Sequence, residues 1–274
     1  MIRLSAFADE ISQDPLEQVD VLESHGIRHI EFRAIHGTNV LDLSDEQHEA
    51  FAALLRSRGF ELSAIGSPIG KIRITEDMEN HLLRFGRALE LALLYRSPSI
   101  RVFSFYIPPG HDPASHRPEV IARMRELTAR AADRGVTLLL ENEKGIYGDT
   151  ASRVHDVLQS VDSPALACAF DPANYVEVGQ PIDEAWWLLR PQVRHIHVKD
   201  YDARKQQHVP AGEGDGQLPS LLKDAARAGY DGFAVLEPHL IEAGLAHGFT
   251  GPERFADAAR ALKQILDRGT IAYA

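Results

Sequence analysis

The stretch ADRGVTLLLE (132–141) changes character at Gly135, where a charged, helix-forming segment stops and an apolar run begins at once. Glycine just past a helix end accepts a left-handed backbone without steric cost, so the junction reads as a helix stop. VTLLLE is too short for a buried helix and suits a strand covered on both faces. The same junction recurs as ESHG then IRHIEF (23–32), RSRG then FELSAI (56–65), and ARAG then YDGFAVLE (226–237). Helix, glycine and buried strand in repetition is the pattern of βα units and a parallel sheet.

Eight strands are expected in all: 2–7, 28–32, 61–65, 99–104, 136–141, 165–170, 193–198 and 233–237. Amphipathic stretches separate them at 15–25, 44–58, 76–96, 117–134, 150–161, 182–190, 217–228 and 252–268. The first of these starts on Asp14 as N-cap, with Pro15 at the first turn and Glu17 three on. Over 274 residues this is about 34 per unit, with no linker or charge block between units. One closed (β/α)8 TIM barrel spanning 1–274 as a single domain is favoured; a doubly wound open sheet is the alternative, since periodicity does not report closure.

Composition narrows the function. Lys plus Arg is 29 against 40 Asp plus Glu, a formal charge of −11. That balance argues against a general affinity for nucleic acid, which needs clustered cations. No run of about 18 apolar residues exists, so no membrane span is expected. The first twelve residues lack the apolar stretch of a signal peptide, and Cys168 is alone, which rules out an intrachain disulfide. A cytoplasmic location is the default expectation. Cys168, between alanines, reads as a small buried hydrophobe.

In a parallel barrel the chemistry sits at the C-terminal strand ends. The fifth strand ends in Glu141, the sixth runs into Asp171, the seventh holds His195 and His197, and the eighth ends in Glu237. Four ionisable groups on consecutive strands converge at one mouth. Three carboxylates and an imidazole suit one divalent cation: Mn²⁺, Mg²⁺, Co²⁺ or Zn²⁺. Without it, clustered carboxylates raise one another's pKa. The bland reading is that each acid caps a helix or pairs with a cation. Only one of His195 and His197 is expected to face the axis.

The segments LLLENE (138–143), FDPAN (170–174), HIHVKD (195–200), GEGDG (212–216) and LEPH (236–239) resemble the xylose isomerase-like superfamily. This barrel group includes sugar 3-epimerases, hydroxypyruvate isomerase, inosose dehydratase and endonuclease IV. FADEIS (7–12), residues 29–47, AIGSPIGK (64–71) and RVFSFY (101–106) are similar to its sugar phosphate isomerase/epimerase branch. By position, the resemblance puts the metal ligands on Glu141, Asp171, His197 and Glu237, and makes His195 a packed neighbour. It also implies that Glu141 and Glu237 are the catalytic pair, shuttling a proton through a metal-stabilised enediolate.

The departures favour one metal. Endonuclease IV has D-x-x-H where this chain has Asp171 to Asn174, and SPIGK and FSFY supply no extra His. The activity implied is an isomerase or epimerase (class 5.1.3 or 5.3.1) in carbohydrate metabolism. It would act on a small sugar or polyol-type compound. The alternative is a dehydratase of an inosose- or dehydroshikimate-like compound, and a non-catalytic sugar-binding barrel is the remaining contrast. Homo-oligomers are common in the family.

Several residues carry two readings. Asn174 is a candidate for hydrogen-bonding substrate hydroxyls or orienting a ligand. Lys71 and Arg33 either bind a substrate phosphate or carboxylate or are surface cations. Glu143 is a reserve base at the substrate or a surface acid. Arg204, with Lys199, follows the His ligand where the epimerases place a substrate-binding Arg. Tyr106 is a candidate aromatic wall, whereas Trp186 and Trp187 read first as packing residues. GEGDG lacks the strand-then-helix setting of a dinucleotide fingerprint and reads as a mobile lid or turn.

Overall fold

Eight parallel strands, one for each expected unit, close into a barrel in the computed structural model, which describes residues 1–240 and 249–274. They are β1 (Arg3–Ala6), β2 (His29–Phe32), β3 (Glu61–Ile65), β4 (Ser99–Val102), β5 (Thr137–Glu141), β6 (Leu166–Phe170), β7 (Val193–Val198) and β8 (Phe233–Leu236). The order around the barrel follows the chain, and β8 closes on β1, where Arg3 to Ala6 pair with Phe233 to Leu236. The closed alternative is therefore the observed one.

The helices start and stop where local chemistry directs. Helix α1 (Pro15–Ser24) begins on Asp14, whose side chain accepts from Leu16 N at 2.9 Å. Ser44 and Gln47 form a reciprocal capping box at the start of α2 (Asp45–Arg58), which ends on left-handed Gly59. Then come α3 (Glu79–Tyr95), α4 (Pro113–Ala132), α5 (Ala151–Val161), the short α6 (Pro172–Glu177), α7 (Ile182–Leu189), α8 (Leu218–Arg227) and α9 (Pro252–Arg268). Helix α6 and two small antiparallel pairs, Ala34–Ile35 with Thr38–Asn39 and Asp200–Asp202 with Gln207–Val209, were not expected from the sequence. Elements of two to six residues carry no readable period.

Each strand has two unlike faces. Ile30, Phe32, Ile100, Val102, Leu138, Leu140, Cys168, Phe170, Ile196, Val198 and Leu236 join the large core cluster beneath the helices. The residues between them point to the barrel axis, because strand side chains alternate. The axial side is small and partly polar: Ala64, Leu139, Ala167 and Ala169 make one cluster, and Phe7, Phe233 and Val235 another. Buried Glu31, Arg101, His195 and His197 share that side. Cys168 is buried on the helix side, where burial pushes its thiol up.

Candidate metal centre and substrate cavity

The alternation that hides Leu138 and Leu140 under the helices sends Leu139 and then Glu141 to the axis. The same step carries Ala169 to Asp171, His195 to His197 and Val235 to Glu237. At the C-terminal mouth, Glu141, Asp171, His197 and Glu237 each offer a donor atom, and the four atoms lie within 4.8 Å of one another. All four residues are buried. The reading that only one histidine faces the axis is corrected here. His195 and His197 are two residues apart, so they project to the same side. Both rings reach Glu31 Oε2, from His195 Nε2 at 2.9 Å and from His197 Nε2 at 3.2 Å.

Each acid is held by one oxygen and leaves the other turned inward. Asp171 Oδ1 caps α6 by accepting from Asn174 N at 2.9 Å. Asn142 clamps the same residue, with Nδ2 donating to Asp171 O at 2.9 Å and Oδ1 accepting from Asp171 N at 3.0 Å. Arg33 Nη1 donates to Glu237 Oε1 at 2.9 Å, while its Nε donates to Asp9 Oδ2 at 2.7 Å. His197 Nδ1 lies 3.0 Å from Glu141 Oε1. The remaining oxygens, Glu141 Oε2, Asp171 Oδ2 and Glu237 Oε2, are buried and find no hydrogen-bond partner among the described residues. Arg101 Nη1 and Lys199 Nζ stand at ion-pair distance from the first two, 3.2 and 2.8 Å, but outside hydrogen-bond geometry.

Leaving three buried carboxylate oxygens unsatisfied is costly unless something completes them. Three hard oxygens beside one imidazole form a donor set that a single divalent cation fits. Among the described residues two further groups contain enough donors, Glu31 with His195 and His197, and Glu10 with Glu237 and His239. In the first the carboxylate already accepts from both rings. In the second Arg33 already supplies the positive charge, at 2.9 Å from Glu237 and 3.7 Å from Glu10. Neither resembles an open cation site.

The charges bias one another strongly. Burial raises the Asp171 carboxyl to about 6; Glu141 and Glu237 add to the rise, and Lys199 opposes it. Burial works against charge on Glu237 too, but Lys199, His239 and His197 hold it well below the usual carboxylate range. His197 resists burial and is held well above its ordinary value by Glu141 and Glu31.

A cavity of about 190 Å³ opens above this centre. Among the expected site residues, Arg33, Lys71, Glu141, Glu143, Asn174 and Glu237 line it. Asp171 and His197 belong to the cluster of possible metal donors below it. Asn174 Nδ2 donates to Asn142 O at 2.8 Å, so this side chain braces the Asp171 clamp. Lys71 Nζ donates to Glu143 Oε2 at 2.9 Å across the rim. Lys71 is presented by a tight turn: a Cβ on Gly70 (φ +91) would lie 1.9 Å from Phe103 O.

Other expectations are corrected. Arg204 does not join the site. It is exposed in the turn between Asp200–Asp202 and Gln207–Val209, because that hairpin folds it away from the cavity. The same hairpin instead brings His208 to the cavity wall. GEGDG is the turn of its two readings rather than the lid, tied down by Asp200, which accepts from the N–H of Gly212 (2.8 Å), Gly214 (3.1 Å) and Gly216 (2.9 Å). Tyr106 is not among the lining residues. Trp186 packs on Phe170, as expected, while Trp187 is exposed under Arg190. The sequence reading missed Glu31, Arg101, Asn142, His208 and His239. The first two carried a signal, being charges inside runs meant to be buried.

The sequence model of a family described as "Xylose isomerase-like TIM barrel" matches residues 19–265. A 3-dehydroshikimate dehydratase of Bacillus anthracis is 24% identical over 203 residues, 71% of this chain and 72% of that protein. A fructoselysine 3-epimerase of Shigella flexneri is 30% identical over 118 residues, 42% of each protein. The solved structure of a xylose isomerase-like TIM barrel protein from Mycobacterium smegmatis in complex with magnesium superposes with a TM-score of 0.73 at 20% identity. That match covers 98% of this chain and 97% of the other. Among the described residues no helix is long and apolar enough to cross a membrane.

Proposed function

The chain belongs to the xylose isomerase-like TIM barrel family, and from that premise we propose that it is a divalent-metal-dependent isomerase or epimerase of a sugar or related hydroxy-keto compound. The carrying observation is the convergence of Glu141, Asp171, His197 and Glu237, with three of their buried oxygens unsatisfied. These four residues would hold one divalent ion, which supplies Lewis-acid polarisation of a carbonyl and its neighbouring hydroxyl. Relatives that are epimerases, and one neighbour solved with magnesium, support the reading.

The remaining chemistry falls to the chain. Glu141 ends β5 and Glu237 directly follows β8, so the two carboxylates reach the same centre from non-adjacent strands. One would take the proton beside the carbonyl and become a carboxylic acid; the enediolate would regain a proton at carbon either from that acid or, on the other face, from the second carboxyl once the proton has passed to it through the substrate's enediol oxygens. Arg33 grips Glu237 by Oε1, which leaves Oε2 as the oxygen turned to the centre. The Lys199 ammonium, 4.0 Å from Glu237 Oε2, offsets negative charge that develops on substrate oxygen. Asn174 keeps Asp171 in place through Asn142.

A dehydratase is the second reading, favoured by the longer match to the Bacillus anthracis enzyme. It would start with the same proton removal and then expel a β-hydroxyl. The test is elemental analysis of purified protein beside His197→Ala, followed by turnover of ketoses and inososes by wild type, Glu141→Gln and Glu237→Gln. One equivalent of metal, lost in His197→Ala, with turnover lost in the glutamine variants while metal stays bound, is the expected result. No metal after reconstitution with each cation overturns it.

A further inference from the structure

Strand alternation sends His195, His197 and then Lys199, the first residue past β7, towards the barrel axis. The strand that supplies the imidazole of the proposed centre therefore also supplies an ammonium. Lys199 is buried and lines the cavity. Its Nζ lies 2.8 Å from Asp171 Oδ2 and 4.0 Å from Glu237 Oε2. Both are oxygens that find no hydrogen-bond partner among the described residues. The other basic groups of the cavity rest on different atoms. Arg33 and His239 reach Glu237 through Oε1, at 2.9 and 3.4 Å, and both also contact Glu10 Oε1, at 3.7 and 3.0 Å. Lys71 pairs with Glu143 at 2.9 Å, and His208 faces Glu177 at 3.8 Å. Arg101 stands 3.2 Å from Glu141 Oε2, but Glu31 at 3.6 Å, Gly66 O at 3.3 Å and the rings of Phe7 and Phe103 also hold it. Among the described residues, only the Lys199 ammonium has all its carboxylate contacts on the inward oxygens of the centre.

We propose that Lys199 competes with the divalent ion for these oxygens: its ammonium holds Asp171 and Glu237 in the metal-free protein and lowers the affinity of the centre for the ion. The inference rests on the four-residue metal centre proposed above. An ammonium 2.8 Å from Asp171 Oδ2 stands where a cation on that oxygen would stand, so the ion has to displace it. Lysine carries a compact charge on a flexible stem, which lets Nζ withdraw into the cavity it lines while β7 stays in place. Even withdrawn, it remains a positive charge beside a divalent cation in a buried setting, where like charges are weakly screened. Removing the ammonium removes that opposition. It also leaves a buried carboxylate without its ion pair, so the metal-free protein loses stability that the ion restores.

The test uses the full chain stripped with EDTA. Magnesium, manganese and zinc chlorides are titrated calorimetrically into wild type, Lys199→Met and Lys199→Gln at about pH 8, which limits competition from protons at the carboxylates. Melting curves of the three proteins are recorded with and without each ion. Both variants are expected to bind the ion roughly 10-fold or more tighter than wild type, since one charge at this distance moves the proton affinity of a carboxylate by about 10- to 1,000-fold. Without metal the variants should melt at lower temperature than wild type, and the ion should raise their melting temperature by more. Met removes the contact while Gln keeps a neutral donor, so one folded variant suffices. A variant that folds only when the ion is added reads the same effect and supports the inference. Equal or weaker binding by a folded variant overturns the inference and leaves the metal centre standing. No binding of any of the three ions by any of the three proteins overturns the metal centre, and the inference with it.

Discussion

Glu31 and His197 meet across the barrel, with Oε2 of the first 3.2 Å from Nε2 of the second and both side chains fully buried. An imidazole whose Nε2–H is donated to a carboxylate keeps Nδ1 as its free lone pair. Nδ1 is the atom that faces Glu141 at 3.0 Å and Glu237 at 3.4 Å. Glu31 therefore sets the ring so that the nitrogen at the proposed metal centre is the usable one. Replacing Glu31 with Gln is expected to weaken divalent-metal binding by about 10–100-fold, the usual cost of losing a partner behind a metal-ligating histidine. Competitive titration against a fluorescent chelator reads this directly. Unchanged affinity in a folded Glu31→Gln protein would remove the role.

Arg33 ties three acids together. It contacts Asp9, Glu10 and Glu237 at 2.7, 3.7 and 2.9 Å, and all four residues are buried or nearly so. Arg33→Met removes the one guanidinium and leaves the carboxylates facing one another. A loss of about 3–5 kcal/mol in unfolding free energy is expected. Urea denaturation at pH 7 measures it; a loss under about 1 kcal/mol would show that the acids find other partners.

Stability should fall on mild acidification through His81. Its Nε2 accepts from Gly70 N at 2.8 Å, which requires the neutral ring, and burial with nearby Arg84 and Arg123 lowers its pKa to about 4. The unfolded value is about 6.5. As pH drops from 6.5, the unfolded chain takes a proton that the folded chain refuses until about 4, so stability is complete above 6.5 and declines across that window. Melting curves of wild type and His81→Gln between pH 4.5 and 7.5 isolate the contribution. The variant should show the shallower decline, and parallel curves would refute the assignment.

Asp200 anchors the 212–216 loop through three glycine N–H groups. The contact is close enough that a Cβ on Gly214 would lie 2.4 Å from Asp200 Oδ1. Asp200→Ala should cost roughly 3 kcal/mol, given charged hydrogen bonds of about 1.5–3 kcal/mol each and partial re-solvation. Amide exchange at Gly212, Gly214 and Gly216 should accelerate more than elsewhere in the barrel. Uniform acceleration would mean that the effect is global rather than a released loop.

The acids of the candidate centre were legible because each ends an apolar run. A charge at the edge of a buried strand has to go somewhere specific, and four such edges in step imply a common mouth. Glu31 and Arg101 were visible as letters within RHIEF and SIRVFS, but their partners lie across the barrel on other strands. Arg204 was misjudged because distance along the chain from His197 says nothing about the hairpin that turns it outward. His208 was missed for the same reason.

The sequence by itself determined the order of helix and strand, the number of units and the acids at the strand ends. Those features are local, written in glycine stops, caps and short apolar runs. Tertiary structure alone decided that the sheet closes, that His195 and His197 both look inward to Glu31, and that each cavity cation finds its own carboxylate. Closure and cross-barrel pairing depend on register between strands far apart in the chain, and burial then makes every unpaired charge expensive enough to choose a partner.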